Sequence, residues 1–394
     1  MENQNLKENK ISIIKRIVPK INLKYINLKI IKSNIETLSD IFIKIKSLYT
    51  GLPTSINKYN IKLDETNLEL RNSIFEYINK YIGMVGSPAL GIFKTWKKLF
   101  SIRYENLYFF YLYTDEKVLK QDLNKILFMF KIFITLSKFV NPSVTNPRYS
   151  IWLPIDSDRD FNFEHIDSNN LKKCLEHYKA FTVSGITHGC NNCNNSNNSN
   201  MDPRITIITR YEEIEKLLIH ELIHNLYLDG SNYHEKLDNI INKYNNIKSK
   251  KNYNYEYSIY ESYTELLSTY FYLLFKNINK SKEEIKEILL GQIFIEIIYS
   301  YNTIVNIAKL NKYENYKDFI KKEELVGKIC IYEYYYIKGL LYNHLLLSFP
   351  KDFDGFVKLY ENIIRIAKNS HQDKLLENIF NNYQKQKNFK YIFH

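Results

Sequence analysis

Apolar residues recur at helical spacing over 33–49 and 65–82, which predicts two amphipathic helices near the start of the chain. Just upstream, "INLKYINLKI" (21–30) alternates in part and reads as a strand. The Gly/Pro cluster "GMVGSPALG" (83–91) interrupts this texture and marks a linker. Beyond it, short aromatic and β-branched runs at 104–114, 148–155, 181–187 and 204–209 predict strands. A long helical periodicity occupies 116–140 between the first two of these. The Asn/Ser-rich run between the last two has the composition of a loop. "EIEKLLIHELIHNLYLDG" (213–230) follows as a helix with Gly230 as its stop. From 232 onward the pattern is helical, with helices expected at 257–275, 282–309, 328–349 and 354–368. This order predicts an α+β fold: a mixed-sheet lobe followed by a mainly helical lobe. The expected division is an accessory region at 1–100, an α+β lobe at 101–230 and a helical lobe at 231–394. The accessory region could serve as a propeptide-like cover, a binding arm or scaffold.

Composition narrows the class. With 394 residues, 45% hydrophobic and 25% charged, the chain can bury a sizeable core. The net charge of +12 comes from lysines dispersed along the chain, and no nucleic-acid-binding signature accompanies them. The abundance of Ile, Lys and Asn matches AT-rich codons, so the charge carries little functional weight, and no nucleic-acid partner is expected. "MENQNLKENK" lacks the apolar core of a secretion signal. The run "ILFMFKIFITLSKFV" is too short to span a bilayer and is broken by Lys131, so no membrane span is expected. Four cysteines, Cys174, Cys190, Cys193 and Cys330, do not make a disulfide framework at this length, which points to a reducing intracellular compartment.

Chemistry concentrates in the 213–230 helix. His220 and His224 stand one turn apart, so both imidazoles leave the same face and can take adjacent corners of a tetrahedral zinc. Glu221 lies beside them, offset around the helix, where it can reach a water without ligating the metal: the HExxH pattern of zinc hydrolases. A bare helix with two histidines is the bland alternative. The strand "RITIIT", read as a sheet edge leading into the helix, favours the metal site. A third histidine six residues after His224 is excluded, because Gly230 stands there, and His234 beyond it reads as a surface residue. "YESYTELL" offers Glu261 and Glu265 instead, four apart on one face of a helix rich in Tyr, Leu and Phe. Two carboxylates facing a core need a cation or hydrogen-bond donors to compensate them.

An HExxH followed by Glu-x-x-x-Asp/Glu resembles the gluzincin branch of the zincin metallopeptidases. The resemblance implies a zincin-like fold and one bound Zn2+ held by His220, His224 and Glu261, with Glu265 accepting from the ring N–H of His220. It also implies that Glu221 takes a proton from the attacking water and passes it to the leaving amine of a peptide or protein substrate. The stretch from "SGIT" through "ITIITRYEEIEKLLIHELIH" to "ESYTE" is similar to uncharacterised zinc peptidases of large DNA viruses. For such a protein the host cytoplasm or the virion would be the setting. The resemblance is specific over 181–275, loose over 104–180 and absent over 1–100. One departure is the separation of His224 and Glu261, 261 − 224 = 37 residues, longer than the usual spacer. It implies an inserted segment and leaves Glu265 as the rival third ligand.

An oxyanion-stabilising donor is less visible. Tyr335, Tyr336 and His344 on the 328–349 helix, and Arg204 and Arg210 flanking the strand, are candidates, and Tyr335 is singled out among them. The 204–209 strand is expected to bind an extended peptide by strand addition. "HGCNNC" (188–193) is a lone Cys pair and a weak second metal site. Glu212, Glu213 and Arg210 fit helix-dipole and ion-pair roles at the helix start. Two rivals to the peptidase reading are a catalytically inactive zincin-fold binding protein and a basic interaction protein with a fortuitous motif. Nothing in the sequence addresses oligomeric state.

Overall fold

The structure is a computed structural model that describes residues 23–63, 98–113, 115–143, 148–155, 185–188, 204–210, 214–233, 236–237, 239–240, 259–322, 332–369 and 373–382. Outside these lie the expected 65–82 helix, the 83–91 linker, Glu212, Glu213, His234 and all four cysteines.

The first helix, α1 (Leu28–Thr50), is set by Asn27, whose side chain accepts from the Ile30 N–H as an N-cap. It corrects the strand reading of 21–30: the alternation there ends in a cap and a helix rather than a ladder. Ile31, Ile35, Leu38, Phe42 and Ile45 form the buried stripe of α1 at three- and four-residue spacing. They join the same core cluster as the rest of the molecule.

Six strands form one mixed sheet in the order β1-β2-β3-β4-β6-β5. These are β1 (Asn60–Leu63), β2 (Lys98–Tyr104), β3 (Leu107–Tyr113), β4 (Arg148–Ile155), β5 (Gly185–His188) and β6 (Arg204–Arg210). β1, β2 and β3 pair antiparallel, β3, β4 and β6 run parallel, and β5 returns antiparallel to β6. The expected 104–114 strand is thus the second arm of a hairpin. Its first arm, "KLFSIRY", escaped notice because Lys98 and Arg103 obscure its alternation. The 204–209 strand is not the sheet edge: β6 lies between β4 and β5, and β5 is the outer strand. Chain order alone could not reveal that the shorter strand folds back outside the longer one.

Between β3 and β4 the chain crosses over through α2 (Glu116–Val140), which starts at the N-cap Asp115. α2 packs on the sheet through Phe130 against Phe109, and Asp122 accepts from the Tyr111 hydroxyl. After β6 comes α3 (Ile214–Asn225), then α4 (Ile259–Lys276), α5 (Lys282–Leu310) and α6 (Tyr316–Lys322). A π-helical turn at Tyr332–Ile337 leads directly into α7 (Lys338–His344), followed by α8 (Phe353–Lys368) and α9 (Lys374–Asn381). The single helix expected at 328–349 therefore changes register at one end and stops early at the other. Leu345 turns extended, and the Asn34 carboxamide of α1 then clasps the chain. Its Nδ2 donates to the Leu345 carbonyl (2.9 Å) and its Oδ1 accepts from the Leu347 N–H (2.8 Å). That tertiary clasp, absent from any local pattern, overrides the helical periodicity of the segment.

α5 is the one described helix long and apolar enough to cross a membrane, and 61% of that stretch is buried inside the molecule. The architecture is α+β: α3 packs against β5, β6 and α2 as well as α4, and α1 bridges α2 and α5.

Candidate metal centre

α3 carries Lys216, His220 and His224 at successive four-residue steps, so the three side chains leave one stripe of the helix. That stripe faces the first two turns of α4. His220 Nε2 lies 3.1 Å from Glu261 Oε2, and His224 Nε2 lies 3.5 Å from Glu261 Oε1. Three ligand atoms, one each from His220, His224 and Glu261, fall within 4.8 Å of one another. Donors bound to one tetrahedral zinc at about 2.0–2.1 Å stand roughly 3.3 Å apart. The two His–Glu separations bracket that value. The residues therefore fit a dication with two imidazoles, one carboxylate and a fourth position left over.

The far side of each ring strengthens the fit. His220 Nδ1 is 3.3 Å from Glu265 Oε2, and His224 Nδ1 is 2.5 Å from Asp229 Oδ2. A carboxylate accepts only, so each Nδ1 donates its N–H outward; each Nε2, once free of its own proton, would turn a lone pair to a cation shared with Glu261. Glu261 thus groups with both imidazoles in a cluster that could hold a metal ion, and Glu265 sits on the other side of His220.

Asp229, which the sequence reading passed over, is fully buried and held on every side. Its Oδ1 accepts from the Ser231 N–H (3.0 Å) and its Oδ2 from the Thr264 hydroxyl of α4 (3.1 Å). The Tyr360 hydroxyl donates to its backbone carbonyl (2.6 Å). α3 ends in a Schellman turn, with Leu228 N–H bonded to the Ile223 carbonyl and Tyr227 N–H to that of His224. Tyr227 takes the left-handed position (φ 59°), so the helix stops before Gly230. Gly230 (φ 80°) is needed for a different reason, since a Cβ there would lie 2.6 Å from the Phe356 ring. A detectable signal existed in the acid just before Gly230, "YLDG", five residues beyond His224.

Glu265 is embedded in cations. Its Oε1 meets Lys216 Nζ at 2.5 Å and Lys338 Nζ at 3.5 Å, and Ser268 donates to its Oε2 at 3.2 Å. Lys338 in turn reaches Glu296 of α5 at 3.1 Å. Lys216 could have been noticed from its place one turn before His220. Lys338 and Glu296 left no trace in the sequence, because only tertiary packing brings them here.

These contacts set the electrostatics. Burial pulls the His220 imidazole down, but hydrogen bonds to Glu261 and Glu265 overcome it and lift its pKa to about 9. His224, opposed in the same way by burial, is raised well above its ordinary value by Asp229 and Glu261. Burial would raise Glu261 and Glu265, yet His224 and His220 hold the first, and Lys216, Lys338 and His220 the second, well below the carboxylate range. The pocket thus favours positive charge between its imidazoles and Glu261, which a dication supplies as well as two protons do.

Glu221 is buried beside His220, about 100° further around the helix. Tyr335 packs edge-on against Tyr299 (5.9 Å between centroids) and lies under the Lys338 ammonium (5.8 Å). Tyr336 is buried against Phe319, and His344 is bonded to Asp373 at 2.7 Å. Arg204 and Arg210 occupy the two ends of β6. Comparison with protein-family models, with curated proteins and with solved structures finds no match to this chain.

Proposed function

We propose that the protein is a zinc-dependent peptidase of zincin type, with His220, His224 and Glu261 as ligands and Glu221 as general base. The observation that carries this reading is the convergence of both Nε2 atoms on Glu261 while both Nδ1 atoms rest on buried carboxylates. A helix with two incidental histidines has no reason to gather four acids around them, three of them buried. A bound zinc ion would supply Lewis acidity and bring the pKa of a coordinated water toward neutrality.

The chain's own residues account for the rest. Asp229 and Glu265 fix the tautomer and tilt of the two rings, so the ligands need little reorganisation. Glu221 accepts the proton released by the attacking water and delivers it to the nitrogen of the departing amine. Its presence favours turnover over a purely structural site, which has no use for a base. An extended peptide would add as a strand to β5, the outer strand at the α3 end of the described sheet, rather than to β6 as its sequence suggests.

The test joins metal content to turnover. Protein purified without chelator should carry about one zinc per chain, lost in His220→Ala and in Glu261→Ala. Glu221→Gln should keep the zinc and cut hydrolysis of an unfolded protein substrate by about 100-fold or more. Zinc with no hydrolysis in the wild type would favour the inactive binding protein. No zinc would end the metallopeptidase reading.

A further inference from the structure

Lys338 does not fit the packing logic of its surroundings. It is 1% exposed, among the most deeply buried of the described lysines, and an ammonium costs several kcal/mol to desolvate unless it is paired. Its partners are two carboxylates from different helices, Glu265 of α4 at 3.5 Å and Glu296 of α5 at 3.1 Å. Replacing such a pair by apolar side chains is often neutral or stabilising, so fold stability alone gives little reason to keep it.

The backbone is specialised to bring Lys338 in. The six residues before it, Tyr332–Ile337, form a π-helical turn, a rare geometry that shifts the register of the side chains that follow. The residue after it is Gly339, where a Cβ would lie 2.4 Å from the Tyr301 ring of α5. A helix that approaches so closely carries its flanking side chain deep between α4 and α5. Lys338 arrives at Glu265, and Glu265 Oε2 holds Nδ1 of His220.

Resting on the zinc-site reading above, we infer that Lys338 is a positioning residue for the metal centre, acting through Glu265. Together Glu265, Glu296, Lys216 and Lys338 form a unit of two carboxylates and two ammoniums. Within it Glu265 is oriented as the acceptor for His220. Lys216 approaches from α3 itself, where it is 15% exposed. Lys338 comes from the far helical lobe, and so makes His220 dependent on the docking of a segment more than a hundred residues away in sequence.

The experiment is a zinc affinity measurement by competition with a chromophoric chelator, on the full chain. Lys338→Met is combined with Glu296→Gln so that neither partner is left as an unpaired buried charge. The pair change is made in the wild type and in Glu265→Gln, and the melting temperature of each ion-free protein is recorded. With Lys338 acting through Glu265, the pair change weakens zinc binding by about tenfold or more in the wild-type background, in the range seen for partners of metal ligands. The same change then has no further effect once Glu265 is Gln. A packing role lowers the ion-free melting temperature equally in both backgrounds and leaves zinc affinity alone, which overturns the inference. Normal zinc affinity in the wild type with no loss in the variant overturns this inference only. A wild type that takes no zinc overturns it together with the peptidase reading.

Discussion

Asp229 does for His224 what Glu265 does for His220, but the two carboxylates are built differently. Glu265 stands among lysines, whereas Asp229 is held by a backbone N–H and the Thr264 hydroxyl, with no lysine among its contacts described above. Truncating Asp229 therefore leaves two donors and the His224 Nδ1–H without their acceptor. Asp229→Ala is expected to weaken zinc binding by about 10- to 100-fold, measurable by the same chelator competition. Thr264→Val, which removes one of the donors, should have a smaller effect in the same direction. An affinity unchanged in Asp229→Ala would mean that His224 orients itself without help.

At the scale of single elements, two glycines are required by close approach. Gly230 combines a left-handed backbone with a ring 2.6 Å from any Cβ, and Gly339 would put a Cβ 2.4 Å from Tyr301. Ala at either position should cost about 1–3 kcal/mol through overpacking, read from denaturant melts. Gly339→Ala should also disturb the neighbouring Lys338. The opposite sign is expected at Lys312, an exposed residue in a left-handed position (φ 66°) at the end of α5. Lys312→Gly relieves that backbone, and a gain of up to about 1 kcal/mol is expected. An unchanged melting curve would mean that the gain is cancelled by the freer unfolded chain.

Long, uninterrupted patterns were the legible ones. α2 and β4 have the bounds that their periodicity suggests, 116–140 and 148–155, because capping and hydrophobic spacing agree along their whole length. The grouping of His220, His224, Glu261 and Glu265 was legible because four-residue steps place side chains on one helical face. What escaped notice depends on neighbours distant in sequence. Asn34 draws 345–347 out of the helix, β5 folds outside β6, and Lys338 meets Glu265 only after α4, α5 and α7 have packed.

For the whole molecule, the ligands come from α3 and α4, which are separated in sequence by the segment 226–258. An unfolded chain offers no such grouping, so zinc at the proposed site would bind the native state selectively and should stabilise it by about 2.7 kcal/mol at a hundredfold excess over Kd. A chelator should reverse the rise in melting temperature. Away from the site, the buried Asp373 ties α9 to α5 and α7. Burial would raise its carboxyl, but the His344 contact, the Leu376 N–H and the Tyr301 hydroxyl hold it below its ordinary value. A carboxylate depressed on folding adds stability above its unfolded value of about 3.9, and that stability is lost as pH falls through the folded value. Asp373→Asn should therefore flatten the loss of stability below about pH 4, followed as melting temperature against pH. An acid limb identical to the wild type would assign the sensitivity to other carboxylates.

The clasp formed by Asn34 has a further consequence for how this chain could be processed. Asn27 N–H is bonded to Asn343 Oδ1, and seven residues later the Asn34 carboxamide holds 345–347. Many peptidases are switched on by trimming their leading segment. Here, trimming through Asn27 would uncap α1 and break its bond to Asn343, trimming through Asn34 would also release the strap that follows α7, the helix bearing Lys338, and trimming through Ile45 would further strip the core of Phe42 and Ile45. A cleavage that keeps both asparagine contacts has to fall before Asn27.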